Sequence, residues 1–298
     1  MPSPESFQLK EFIKSQFAES NPAETIQQVR KKVDESMLLL PVLEGAQIEP
    51  FDAKGVTGDW VSMPGVATNR VLLYLHGGGY VMGSARTHRD LAARFFQAAG
   101  VRVAVPNYRL APENPFPAAL EDATAVYGWL LEQGYKPEHI AFCGDSAGGN
   151  LAVVTLLALR EAGKPLPAAA ILLSPWTDLT LSGESVKTKS EVDPMIKLGD
   201  AKEQFAYYVG NHDPANPLIS PIFAELHGLP PLLIHVGSDE VLLDDSVRLA
   251  EQAQAAGTEA QLKVWDGMWH VFQSLASMLP EGRDSIDELG AFVKHHVF

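Results

Sequence analysis

The chain has 298 residues, 46% apolar and 20% charged, with a formal net charge of −14. That balance excludes a disordered, collagen-like or coiled-coil chain, and so acidic a surface disfavours nucleic-acid backbones and anionic membranes. One cysteine, Cys143, excludes an intrachain disulfide, and the longest apolar runs fall far short of the roughly 20 residues a membrane helix needs.

The N-terminal stretch has no basic segment followed by an apolar core, so the reading is a cytoplasmic protein. The first 45 residues read as two helices. In the second, Asn21 is placed to cap and Pro22 to fill the first helical position. Ile26, Val29, Val33, Met37 and Leu40 then form one apolar stripe, and Pro41 ends it. Two strands are expected next, at 47–52 and 59–63. From residue 70, short β-branched runs alternate with longer helical stretches. Strands are predicted at 71–75, 101–106, 140–143, 169–173, 232–236 and 261–265. Helices are predicted at 87–99, 118–132, 147–161, 244–256 and 284–296. Strict alternation of this kind implies an α/β fold, with a mostly parallel central sheet flanked by helices. Nearly 60 residues separate Leu173 from Leu232, more than one crossover requires. They carry a predicted helix at 200–209 and a Pro/Asn-rich loop at 211–221. Ligands bind at the carboxyl ends of strands in such sheets, so this insertion is expected to cap a site.

Gly144-Asp145-Ser146-Ala147-Gly148 is a G-x-S-x-G pentapeptide between an apolar strand and a helix. That is the setting of a nucleophile elbow, in which a strained turn lifts the serine hydroxyl clear of the sheet. Small residues two before and two after Ser146 allow strand and helix to close around it. The free N–H of Ala147, at the helix start, points at a developing oxyanion. His76-Gly77-Gly78-Gly79 follows the strand at 71–75 and offers further backbone donors. A phosphate loop does not fit there: position 82 is Met82 rather than glycine, and no G-K-[ST] follows. No H-E-x-x-H and no Cys/His cluster supports a metal site, and no cofactor is implied.

Among nine histidines, His270 lies where the base of this arrangement belongs, after the acid and near the C-terminal end. His295 and His296 end the last helix, where they suit its dipole. The preceding strand leads into Gly237-Ser238-Asp239-Glu240. Asp239 fits the carboxylate that orients an imidazole. Glu240 is the adjacent competitor, and on a strand only one of the two can face His270. Asp178 is a more distant alternative, and Asp244 and Asp245 read as first-turn acids of the next helix. The order Ser146, Asp239, His270 is that of α/β-hydrolases.

His76-Gly-Gly-Gly followed by Gly144-Asp-Ser-Ala-Gly-Gly149 resembles the bacterial hormone-sensitive-lipase-like esterases. Tyr108-Arg-Leu-Ala-Pro-Glu113 and Phe116-Pro-Ala-Ala119 extend the likeness, and the stretch from Gly237 to Asp245 is similar to the acid loop of acetyl-hydrolases and monoterpene lactone hydrolases. The resemblance implies one catalytic domain over residues 1–298, with a cap built from about 1–45 and about 185–215. It implies Gly78, Gly79 and Ala147 as oxyanion donors, and homodimers joined through the last strand, here Gln261 to Trp265. Many members carry Asp-Pro at the acid where this chain has Asp239-Glu240. The expected activity is hydrolysis of small, neutral, short-chain esters through an acyl-enzyme on Ser146. Met37, Phe205, Tyr207 and Tyr208 are candidates to narrow the pocket, against a packing role. Lactone hydrolysis with the same triad is the alternative, and a non-catalytic binding protein is a remoter one. No nucleic acid and no stable membrane association are expected. Cys143, in the strand leading to Ser146, reads as a packed residue.

Overall fold

The computed structural model describes residues 2–17, 24–38, 41–65, 69–197 and 205–297. These form one eight-stranded sheet in the order β1-β2-β4-β3-β5-β6-β7-β8. The strands are β1 (Gln47–Ala53), β2 (Val56–Ser62), β3 (Val71–Leu75), β4 (Arg102–Pro106), β5 (Ile140–Asp145), β6 (Ala169–Leu173), β7 (Leu232–Gly237) and β8 (Ala260–Trp265). The pairings β1 with β2 and β2 with β4 are antiparallel; every other pairing is parallel. Helices are α1 (Pro4–Phe17), α2 (Ile26–Met37), α3 (Arg89–Ala99), α4 (Ala118–Glu132), α5 (Ala147–Glu161), α6 (Ser185–Thr188), α7 (Leu243–Ala255) and α8 (Pro280–His296), and residues 205–209 are also helical.

The parallel strands read as unbroken apolar runs because helices cover both their faces. The pleat sorts their side chains into two cores. Leu73, Leu75, Phe142, Leu172 and Ile234 point to the side covered by α4, α5 and α7. Leu72, Tyr74, Cys143 and Ile171 point to the other side, against Phe95 of α3 and Ile286, Leu289 and Val293 of α8. Cys143 is buried there, as the packing reading expected.

The two N-terminal helices dock differently. In α1, Ile13 is buried against Met268, Trp269, Phe272 and Leu279, with Leu9 and Met195 alongside. Ser3 is fixed by its N–H and hydroxyl to the Glu281 carboxylate at the start of α8. The cap of α2 is Thr25, in a reciprocal box with Gln28; Asn21 and Pro22, expected to start it, lie outside the described residues, as does Leu40. The stripe Ile26, Val29, Val33 and Met37 is half-buried, and α2 contributes no fully buried residue. Its anchor is polar: the Arg30 guanidinium donates to the carbonyls of Val81 and Ala111 and pairs with Glu113 at 2.7 Å. That pairing holds the Glu113 carboxyl down at about 2.

The insertion between β6 and β7 contains α6, the helical residues 205–209 and a short 3₁₀ turn, Pro221–Phe223. Residues 200–204 of the helix expected there lie outside the described residues.

Candidate active site

Ser146 joins β5 to α5 with φ 54° and ψ −121°, a left-handed conformation that a non-glycine residue adopts only at a cost of about 1–3 kcal/mol. Its N–H donates to Leu173 O (2.9 Å) and its carbonyl accepts from Trp176 N (3.0 Å), so the backbone is held from β6 while the side chain stands clear. Close packing explains the flanking glycines. A Cβ on Gly144 would lie 2.2 Å from Gly148 O, and one on Gly148 would lie 1.9 Å from Leu75 O. Neither position admits a side chain without moving main chain.

Asp145 ties this elbow to the glycine loop. Its buried carboxylate accepts from Gly77 N (2.9 Å) and Tyr74 Oη (2.7 Å), and His88 Nε2 lies 3.5 Å away. Burial alone would raise its pKa; His88 and Tyr74 outweigh that and hold it below the ordinary carboxylate value. His76 stacks on Tyr108 with centroids 4.2 Å apart, and burial, with His88 nearby, lowers its pKa to about 3. His76 is therefore a neutral ring that supports the loop. Gly78 turns the chain at φ 116°. The N–H groups of Gly78, Gly79 and Ala147 have no hydrogen-bond partner among the described residues. They stand free at the end of β3 and the start of α5, adjacent to β5 and its serine.

His270 follows β8 and is buried. Its Nδ1 lies 2.9 Å from Glu240 Oε2. Glu240 is wholly buried, and its other oxygen accepts from Gly237 N (2.6 Å) and Ser174 Oγ (2.8 Å). Burial by itself pushes the His270 pKa down; the Glu240 carboxylate outweighs burial, Asp193 and Asp145 add to it, and the net result is above the ordinary value. The carboxylate that meets His270 is thus Glu240, where Asp239 was expected. Asp239 turns outward to the Lys10 ammonium of α1, and that cation outweighs partial burial to lower its pKa. The reason lies in the backbone. β7 ends at Gly237, and Ser238 and Asp239 form a turn, with Asp239 N donating to Met268 O at 2.9 Å. Strand alternation does not carry through that turn, and it swings Glu240 inward.

Ser174, unremarked in the sequence, sits between the strand ends at φ 46°. Its hydroxyl donates to Glu240 and accepts from Val271 N (3.2 Å), bridging the acid loop and the base loop. The order β5-β6-β7 sets Ser146, Ser174 and Glu240 at the carboxyl ends of three adjacent strands. No hydrogen bond joins Ser146 Oγ to His270 Nε2 among the described residues; such contacts tighten in the substrate complex.

The remaining candidates are structural in their contacts. Asp178 is buried and paired with Arg248 at 2.7 Å. Asp245, in the first turn of α7, accepts from Thr177 N (2.7 Å) and Asp178 N (2.8 Å), and burial raises its pKa to about 8. His235 bonds Ser285 (2.8 Å) within the core. Tyr208, expected at the pocket, is 1% exposed and stacks face to face on Tyr80 with centroids 3.6 Å apart. Its ring is packed inside the protein with almost no exposed surface. Phe205 and Tyr207 are partly buried against the same core. Met37 lines a cleft of about 140 Å³ with Leu38, Val42, His88 and Ser274, a lining that includes neither Ser146 nor His270.

A family model described as alpha/beta hydrolase fold matches residues 72–274. The chain belongs to the alpha/beta-hydrolase family. An acetyl-hydrolase from Streptomyces hygroscopicus is 47% identical over 238 residues, covering 80% of this hydrolase and 79% of that protein. An esterase from Acinetobacter venetianus is 36% identical over 265 residues, covering 89% and 87%. A solved esterase of the bacterial hormone-sensitive lipase family superposes with a TM-score of 0.96 at 45% identity, covering 100% of both chains. These relatives make the protein a hormone-sensitive-lipase-like serine ester hydrolase. Among its described residues no helix is long and apolar enough to cross a membrane.

Proposed function

We propose that this hydrolase cleaves small, neutral, short-chain acyl esters through an acyl-enzyme on Ser146, with His270 as base and Glu240 as the acid that orients it. The observation that carries this reading is the buried Glu240–His270 pair at the strand ends beside the serine elbow. His270 Nε2 takes the proton as Ser146 Oγ attacks the ester carbonyl. The oxyanion forms against the free N–H groups of Gly78, Gly79 and Ala147, where one such donor is worth about 3–4 kcal/mol. His270 then protonates the departing alcohol, and the same nitrogen activates water to release the acid. Glu240 fixes the tautomer that presents a bare Nε2 to the serine and stabilises the imidazolium.

A short acyl group is supported by the acetyl-hydrolase relative. A cap assembled from about residues 1–45 and 185–215 is supported by Lys10, which reaches Asp239, and by Met195, which packs beside Trp269. The outer edge of β8, paired among the described residues only with β7, supports a homodimer through that strand. A lone buried cysteine suits a cytoplasmic location.

The test is covalent labelling by a serine-reactive phosphonate together with hydrolysis of p-nitrophenyl acetate. Stoichiometric labelling, and loss of both labelling and turnover in Ser146→Ala with an unchanged melting curve, are the expected results. Turnover retained in Ser146→Ala overturns the reading.

A further inference from the structure

Asp193 lies in the insertion, far from any residue that sequence motifs single out, yet it is wholly buried. One oxygen accepts from Met195 N (2.8 Å) and Ile196 N (3.0 Å), which closes the turn Asp193-Pro194-Met195. The other crosses to the acid loop and accepts from Val241 N at 2.9 Å. Val241 directly follows Glu240. Met195, on the same turn, packs with Met268, Trp269 and Phe272, residues on both sides of His270. One turn of the insertion therefore touches the loop of the acid and the loop of the base. No Lys or Arg pairs with Asp193 among the described residues. The three contacts of Asp193 are all to backbone N–H groups, so the carboxylate ties the insertion to the acid loop main chain to main chain.

We propose that Asp193 is a positioning residue: it clamps the peptide after Glu240 so that the acid meets His270. The proposal rests on the reading in which His270 is the base and Glu240 the acid. The charged groups facing His270 are Glu240, Asp193 and Asp145, the last shared with His88. Lys10, Asp239 and Lys189 lie on the outer side of the acid loop. In the active, deprotonated enzyme His270 gains its positive charge as it accepts the Ser146 proton, so removal of Asp193 acts on kcat and on the protonation of the free base rather than on substrate affinity.

The experiment compares Asp193→Asn and Asp193→Ser with Ser185→Ala. Ser185 ties the same insertion to the same loop, through Val241 O (2.7 Å) and Asp244 N (3.0 Å), without carrying charge. On p-nitrophenyl acetate, both Asp193 variants are expected to lower kcat by about tenfold or more with KM within about twofold. The kinetic pKa in kcat/KM is expected to fall by about half a unit or more. Ser185→Ala is expected to leave that pKa in place. A wild-type kcat and pKa in both Asp193 variants overturns the proposal, as does an equal pKa shift in Ser185→Ala. Phosphonate labelling of the unmodified enzyme separates the two levels. If Ser146 labels and only the Asp193 prediction fails, the positioning role alone is wrong; if Ser146 does not label, the triad reading itself falls.

Discussion

Both oxygens of Glu240 are occupied inside the protein, one on His270 and one shared by Gly237 N and Ser174 Oγ. Asp239 faces the other way, to Lys10. That division could not be read from adjacent acidic residues. Strand parity says that one of two neighbours faces inward, and the turn at Ser238 and Asp239 decides which. The elbow position of Ser146 and the placement of His270 after the last strand were legible because the pentapeptide and the chain order are tied to local structure. Ser174 and Asp193 were not, since a lone serine or aspartate in a loop carries no local pattern. The pH behaviour belongs at this scale. The His270 pKa is raised, so the base is protonated and idle on the acid side; kcat/KM is expected to rise with pH through a value above 6.5, the ordinary imidazole value. A pH–rate profile flat from about pH 5 to 8 contradicts a histidine base. The stability supplied by the charged His270–Glu240 pair is present below the ordinary imidazole value and is lost as pH rises through the raised one. The Asp239–Lys10 pair has the opposite sign, present above the ordinary carboxylate value and lost as pH falls through the lowered one. It is partly exposed, so Lys10→Met is expected to cost no more than about 1 kcal/mol in chemical denaturation.

The alternation of strands and helices was legible from residue 70 onward because buried parallel strands are apolar runs and their helices carry one apolar face. The predicted ranges of α4 and α5 coincide with the observed Ala118–Glu132 and Ala147–Glu161. The start of α2 was missed although Thr25-Ile26-Gln27-Gln28 is a capping box in the sequence; the Asn-Pro pair upstream was the more conspicuous signal. How α1 docks was not legible, because its mixed surface shows no clear stripe and its partners lie around residue 270. Two substitutions test the elements. Gly148→Ala places a methyl group against Leu75 O, so loss of the fold, or a strand β3 displaced from α5 with labelling abolished, is expected by circular dichroism and phosphonate titration. Ile13→Ala removes a buried contact of α1 with the base loop, with an expected cost of about 2–4 kcal/mol in denaturant unfolding. Full stability in Ile13→Ala would mean that α1 is not held by that cluster.

At the scale of the whole molecule, the acidic surface now has a setting. A net charge of −14 around a site at the sheet's carboxyl edge disfavours anionic lipid surfaces and anionic substrates, in keeping with small neutral esters. Rates across acetyl to dodecanoyl esters are expected to peak at the short end; a maximum at dodecanoyl would contradict the proposed acyl preference. The insertion, expected from its length alone to cap the site, reaches the acid and base loops through Asp193 and Met195. In the proposed mechanism Glu240 orients His270 and Asp239 is left to the surface. The most direct measurement is kcat for Glu240→Gln beside Asp239→Asn. Glu240→Gln is expected to lose about 10³- to 10⁴-fold in kcat, and Asp239→Asn to stay within about fivefold of the unmodified enzyme. The reverse pattern, a silent Glu240→Gln and a crippled Asp239→Asn, would contradict it.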